Sequence, residues 1–284
     1  MIGTRVVSAI TAVLVVAPPA AAQRSVPLIL QYVDVVLDSA TWRDVASSPF
    51  VREDFAASDT NARVGIFRGV RLYGRYNYVT LLAPAGASVG DVAIGLGVET
   101  AGGFEALSTA THQRVATRGS ATGDGAIAGG ARVITPVGAD STSDHLRLVI
   151  SQYDAATAAG LAATDSLPAS NRTVARLLAP HFDSHRLFAY VTSVTLAVPV
   201  DDIRKTVALL QLDQVKVLPE GEGAVIDLGG ITLHLVPPWS GAGVKQLKFA
   251  LTRDDPANPV YRFGPKSQLR FGPGPVAVWD FAPK

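Results

Sequence analysis

Residues 30–42 read LQYVDVVLDSATW, and residues 193–210 read SVTLAVPVDDIRKTVALL. Each opens as a run of β-branched and apolar residues, the composition of a strand. Each then meets residues that suit a helix start, Asp38 and Ser39 in one copy, Asp201 and Asp202 in the other. A strand that passes straight into a helix occurs twice in one chain, so the sequence following each copy tests whether a larger unit repeats.

After the first copy, Ala40 to Val45 with Phe50, Val51 and Phe55 carry a helical pattern broken at Pro49, which predicts a short helix and a turn. Strand-like runs follow at Arg63–Phe67, Val70–Ala83 and Asp91–Val98, punctuated by Gly69 and by Gly86 to Gly90. After the second copy, whose strand spans Leu187–Val198 and whose helix spans Ile203–Gln211, strands are expected at Val215–Leu218, Ala224–Leu228, Ile231–Val236 and Lys245–Thr252. The order β-α-β-β-β therefore recurs.

Between the two lie a helix at Phe104–His112, a Gly/Ala/Thr/Ser loop at Gly119–Gly130, and strands at Ala131–Val137 and Leu146–Tyr153. An Ala-rich helical connector, broken at Pro168, then leads to a second helix near Arg172–Leu178. Runs at Tyr261–Phe263, Gln268–Phe271 and Val276–Phe281 add C-terminal strands. The expected fold class is α+β, two βαβββ-type units in curved mixed sheets with a helical connector and C-terminal strands. The expected division is 1–22, a signal peptide; 23–153, the first unit with extra strands; 154–185, the connector; and 186–284, the second unit with the C-terminal strands.

The first segment has Arg5, the apolar run Val6–Ala17, Pro18-Pro19 and then Ala20-Ala21-Ala22, the order of a secretory signal with cleavage after Ala22. The expectation is a secreted or periplasmic protein with no membrane span in the mature chain, because no apolar run reaches roughly 20 residues. Composition excludes several functions. Lys and Arg number 25 against 24 Asp and Glu, so there is no cationic surplus for nucleic acid. No cysteine is present, which removes thiol nucleophiles, disulfides and thiolate metal sites. GxxxxGK[ST], GxGxxG after a strand and HExxH are all missing.

The paired units resemble the glyoxalase, bleomycin-resistance and dioxygenase superfamily, the vicinal oxygen chelate proteins. The residues carrying the resemblance are LQYVDVVLDSATW, LYGRYNYVTLLAP (72–84) and DVAIGLGVE (91–99), then SVTLAVPVDDIRKTVALL and ITLHLVPP (231–238). The first half is similar to an uncharacterised, largely bacterial group with glyoxalase-like modules. The resemblance implies metal ligands, His or Gln on the first strand of a unit and Glu on a later one. Aligning the units places Tyr32 opposite Ser193 and Thr80 opposite His234, and among these four only His234 is a good metal ligand.

The expectation is thus a module without the usual metal site and without a cofactor, leaning away from an enzyme, with no assignable catalytic residue. Its partner is a small molecule or a protein, and its state a monomer or homodimer. Tyr32, Tyr76, Tyr78, Thr80, Ser193 and His234 are the candidate ligand-binding residues, polar tips on a concave apolar face. The alternative is a lyase, isomerase or dioxygenase using one divalent metal ion, held by His234 or by the HFDSH set His181, Asp183 and His185, which otherwise forms a polar turn after Pro180. Gly86–Gly90 fits G-x-S-x-G, but a strand follows where a nucleophile elbow needs a helix. His145 beside Asp144 is either an acid/base pair or an exposed strand end.

Overall fold

The first strand, β1 (Leu28–Val36), is largely apolar and buried along nearly its whole length, so it belongs at the centre of a sheet. In the computed structural model it does. The structure describes residues 28–98, 103, 105, 116–118, 131–134, 145–153, 172–212, 215–239, 241–254 and 260–281. The expected signal segment and the Gly119–Gly130 loop lie outside the described residues, as do nearly all of the expected Phe104–His112 helix and the Ala-rich first part of the connector.

Asp38 ends β1 and caps α1 (Ser39–Ser47), accepting from the backbone N–H groups of Ala40 and Thr41 at 3.0 Å each. Pro49 does not extend this helix but opens a single π-helical turn, Phe50–Phe55. Strands β2 (Ala57–Val64), β3 (Phe67–Tyr73), β4 (Tyr78–Leu82) and β5 (Val92–Val98) follow, then β6 (Ala116–Arg118), β7 (Ala131–Ile134) and β8 (Leu146–Tyr153). They form one sheet in the order β2-β3-β4-β1-β5-β8-β7-β6. Strand β1 runs parallel to β4, β5 runs parallel to β8, and β1 and β5 are antiparallel. Gly103 and Glu105, between β5 and β6, are helical. The strands beyond β5 therefore repeat the plan of β1 to β4 inside the same sheet.

Helix α2 (Arg172–Leu178) precedes the second sheet. There β9 (Phe188–Ala197) and α3 (Val200–Leu212) are followed by β10 (Val217–Glu220), β11 (Gly223–Asp227), β12 (Thr232–Val236), β13 (Gly243–Leu251), β14 (Val260–Phe263), β15 (Ser267–Phe271) and β16 (Val276–Phe281). The order is β10-β11-β12-β9-β13-β16-β15-β14, the counterpart of the first sheet. The α+β class and the two mixed sheets agree with the sequence reading. Asp201 and Asp202 lie in the first turn of α3 rather than at its cap.

One expected element is divided. Val70–Ala83 reads as one strand, but the chain bends between β3 and β4 at residues 74–77. A side chain on Gly74 would meet the carbonyls of Asn77 and Ala189 at 2.6 and 2.7 Å. Asn77, wholly buried, accepts from the Val191 N–H at 2.8 Å and donates to its carbonyl at 3.2 Å. The neighbouring strand β12 begins only opposite Ser193, so this side chain completes the edge of β9 where no strand covers it.

A single hydrophobic core joins both sheets. Phe55 is its centre, with its ring 5.8 to 6.5 Å from those of Phe188, Phe249, Phe271 and Trp279. Phe50 stacks on Tyr261 at 3.5 Å, and Asp44 of α1 accepts from the Gly264 N–H. The helical segment of the first unit thus covers the core face of β13 to β16.

Candidate functional site

Side chains on β1 alternate, and Val33 and Val35 point into the shared core. The opposite face carries Tyr32, Asp34 and Val36. Cross-strand pairing fixes what stands beside them, because residues opposite one another on a ladder share a face. Asp34 pairs with Thr80 on β4, Thr80 with Arg71 on β3, and Arg71 with Asp59 on β2. On the other side Asp34 pairs with Ala93 on β5, and Ala93 with Arg147 on β8. One row across six strands therefore reads Asp59, Arg71, Thr80, Asp34, Ala93, Arg147.

The middle of this row is buried: Asp34 is 5% exposed, Arg71 2% and Thr80 fully enclosed. Arg71 Nε donates to Thr80 Oγ1 at 3.4 Å, and Thr80 stands directly opposite Asp34, where its hydroxyl favours the ionised carboxylate. The guanidinium of Arg71 also lies 5.1 Å from the Tyr78 ring centre. Two atoms are left over. Asp34 Oδ1 and Arg71 Nη1 are buried without a hydrogen-bond partner, a costly state for charged groups. Burial pushes the Asp34 carboxyl up to about 6, against the opposing pull of the Thr80 hydroxyl and of the Arg71 and Arg147 charges.

Asp34 faces a cavity of about 220 Å³. Val36, Val64, Phe67 and Leu82 supply an apolar wall, and His145 and Arg147 stand on the polar side. Asp91 holds His145, with its Oδ1 2.8 Å from Nδ1, while its Oδ2 accepts from the Ser88 N–H at 2.7 Å. His145 thus has a carboxylate partner, Asp91, just before the neighbouring strand β5, while Asp144 lies outside the described residues. Ser88 serves the turn before β5, and no helix follows it.

The next row on this face is aromatic. Tyr73 pairs with Tyr78, Tyr78 with Tyr32 and Tyr32 with Gly95. Tyr32 and Tyr78 stack at 5.4 Å, and Gly95 is required because a side chain there would run into the Tyr32 ring. Val174 and Leu178 of α2 pack on Tyr73, Tyr78 and Ile29, so the connector helix closes this part of the face. A second cavity, about 230 Å³, contains Asp38, Gly90, Lys245 and Lys266. Its carboxylate, Asp38, is committed to capping α1. Desolvation pushes the Lys245 ammonium below its usual value. No wholly buried, unpartnered charge marks that site, which favours the Asp34 cavity.

The structure brings together Tyr32, Tyr78 and Thr80 on one face but separates the other sequence candidates from them. Tyr76 sits in the bend before β4 with its ring 5.1 Å from Tyr190. Ser193 and His234 lie on β9 and β12 of the second sheet, where Ser193 pairs with Thr232 and His234 with Thr195. The alignment of Tyr32 with Ser193 and Thr80 with His234 is self-consistent, since each pair of strands keeps the same register. His181 stacks on Tyr73 at 4.6 Å, and Asp183 accepts from the His185 N–H and from Arg186 in a turn. His185 is exposed in that turn. Asp34, Arg71 and Arg147 were missed by the sequence reading. Their available signal was a charged residue in the middle of an otherwise apolar strand.

These residues do not suit a divalent cation. Three or four N/O donors are needed, whereas Asp34 feels two guanidiniums whose like charge repels a metal ion, and the cavity's other donors, Asp91 and His145, are bonded to each other, Asp91 also accepting from the Ser88 N–H. Among the described residues no group of three His, Asp or Glu is placed to hold a metal ion.

A family model described as a family of unknown function, DUF5829, matches residues 31–281. No curated protein matches the chain. Among solved structures, a hypothetical protein from Staphylococcus aureus is similar at 13% identity and a TM-score of 0.48, over 82% of this chain and 94% of that one. The Mn(II)-bound glyoxalase from Novosphingobium aromaticivorans is similar at 10% identity and 0.45, over 78% of this chain and 65% of that one. The 2,2',3-trihydroxybiphenyl 1,2-dioxygenase from Sphingomonas wittichii is similar at 15% identity and 0.43, over 88% of both chains. At these identities the likeness concerns fold and brings no substrate or metal with it.

Proposed function

The chain belongs to the DUF5829 family of unknown function, and on that premise we propose that it binds a small polar molecule on the first sheet without using a metal ion. The observation carrying this reading is that Asp34, whose buried Oδ1 has no hydrogen-bond partner, lines a cavity of about 220 Å³. A buried charge is ordinarily satisfied by protein, water or ligand. A concave apolar wall with a few convergent polar groups is the usual form of a small-molecule site. The volume lies below the roughly 300 Å³ at which drug-sized pockets begin, so the occupant is compact.

Export is part of the proposal, supported by the arrangement of Arg5, Val6–Ala17 and Ala20–Ala22. N-terminal sequencing of the protein recovered outside the cytoplasm should begin at Gln23.

The binding reading is tested by NMR of the isotopically labelled protein against a panel of small polar fragments, with and without EDTA. Binders should shift the amides of Ala93, His145 and Arg147 and raise the melting temperature, equally in both conditions. Binding abolished by EDTA and restored by a divalent ion would overturn the metal-independent reading. A panel that leaves those amides unmoved would overturn the site.

A further inference from the structure

We propose that the ligand of the Asp34 cavity is a compact α-hydroxy acid with an aliphatic tail, a class that rests on the small-ligand reading above. Four features of the cavity divide the ligand between them. Asp34 Oδ1 is an acceptor without a donor, so the ligand must present an O–H or N–H there. Arg71 and Arg147 both act on Asp34, so an ammonium at that point would meet two guanidiniums. The donor is therefore neutral, a hydroxyl.

Arg147 is exposed at the cavity wall and has no ion-pair partner among the described residues. Its planar fork suits a carboxylate, held by two parallel N–H donors. Asp91 Oδ1 already takes Nδ1 of His145 at 2.8 Å, so the ligand carboxylate is left to Arg147, whose N–H groups are donors at any working pH. Ala93, opposite both Asp34 and Arg147, brings no polar group of its own between them. A hydroxyl and a carboxylate on one carbon or on adjacent carbons fit that short span. Val36, Val64, Phe67 and Leu82 then receive the remainder of the molecule, which is apolar and small.

The test uses the full chain and four probes of one carbon skeleton, α-hydroxyisovalerate, isovalerate, methyl α-hydroxyisovalerate and valine. Titration followed at the Ala93 and Arg147 amides should give a dissociation constant at least tenfold lower for α-hydroxyisovalerate than for the other three. Asp34→Asn should erase the preference over isovalerate, and Arg147→Ala the preference over the ester, each leaving the other preference in place. Because Arg147 is exposed, its variant tests the carboxylate contact without disturbing the core. Equal affinity for isovalerate, valine or the ester would overturn the ligand class. So would silence from all four probes where the fragment panel binds, in which case the small-ligand site stands. Silence from both sets would remove the site and the class together.

Discussion

The two sheets run the same row of positions to opposite ends. In the first, Arg71, Thr80, Asp34, Ala93 and Arg147 follow one another across β3, β4, β1, β5 and β8. In the second, the corresponding strands carry Val225, His234, Thr195, Gln246 and Asp280. The second row is satisfied: Gln246 Nε2 donates to Asp280 Oδ1 at 2.8 Å, and Arg270 binds Asp280 Oδ2 at 2.6 and 2.8 Å. In the first, Ala93 stands where Gln246 would help, and Asp34 Oδ1 and Arg71 Nη1 have no partner. One scaffold carries both, so the fold does not demand the unpaired charges. They belong to the first sheet's own use of that face.

The sheets also differ in how they are closed. Parallel strands need a long crossover, usually helical, whereas antiparallel ones do not. Strand β5 runs parallel to β8, and helical residues lie on the path between them. Strand β13 is antiparallel to β16, and residues 252–259 alone lead on to β14. Among the described residues, this half of the second sheet brings no helix of its own. Phe50 and Phe55 of the first unit cover it, which makes the two units one folding body.

The largest effect should come from breaking that shared cover. Phe55→Ala should cost about 3–5 kcal/mol, the usual range for an enclosed phenylalanine. Urea unfolding followed by tryptophan fluorescence, with hydrogen exchange on β4 and β12, should show both sheets losing protection together. Loss confined to β3 and β4 would mean that the sheets are stable separately.

Next in size is the pH dependence of Asp34. Its folded-state value of about 6 exceeds the ordinary carboxylate value of 3.8, so between these limits the folded state holds a proton that the unfolded state has lost. Stability from this group therefore rises as pH falls from 7 through 6 toward 4 and is lost as pH climbs back, by up to about 3 kcal/mol. Asp34→Asn should remove that slope. The check is urea midpoints from pH 4 to 8; superimposable pH profiles for the two proteins would show that Asp34 is not the titrating group.

Much of this comparison was legible in the sequence, but not the part that makes the site. Two strand-to-helix openings, a Pro that halts a helix and evenly spaced turns are local signals, and they gave the two units and the register of Tyr32 against Ser193. The bend at Gly74–Asn77 was hidden because tyrosines on either side favour a strand. What pins it is Val191, distant in sequence. Asp34 looked ordinary because YVDVV keeps a strand's alternation whether the acid faces water or a cavity. Its neighbours Arg71 and Arg147 come from β3 and β8, and only the strand order places all three on one face. His145 shows the same limit, with Asp144 beside it in sequence and Asp91 beside it in space.

The smallest change gives the sharpest comparison. Ala93→Gln writes the second row's solution into the first, placing an amide between Asp34 and Arg147 as Gln246 stands beside Asp280. A new hydrogen bond to a buried carboxylate should add about 1 kcal/mol of stability, and the same side chain should fill the gap and reduce α-hydroxyisovalerate binding at least tenfold. Gln246→Ala should do the reverse on the second sheet and cost about 1 kcal/mol at most, because Arg270 still holds Asp280. If Ala93→Gln stabilises the fold and blocks the ligand, the unpaired row is kept for binding at the expense of stability, the trade expected of a functional site. If it destabilises, the cavity water or the backbone already satisfies Asp34, and the two rows differ in packing alone.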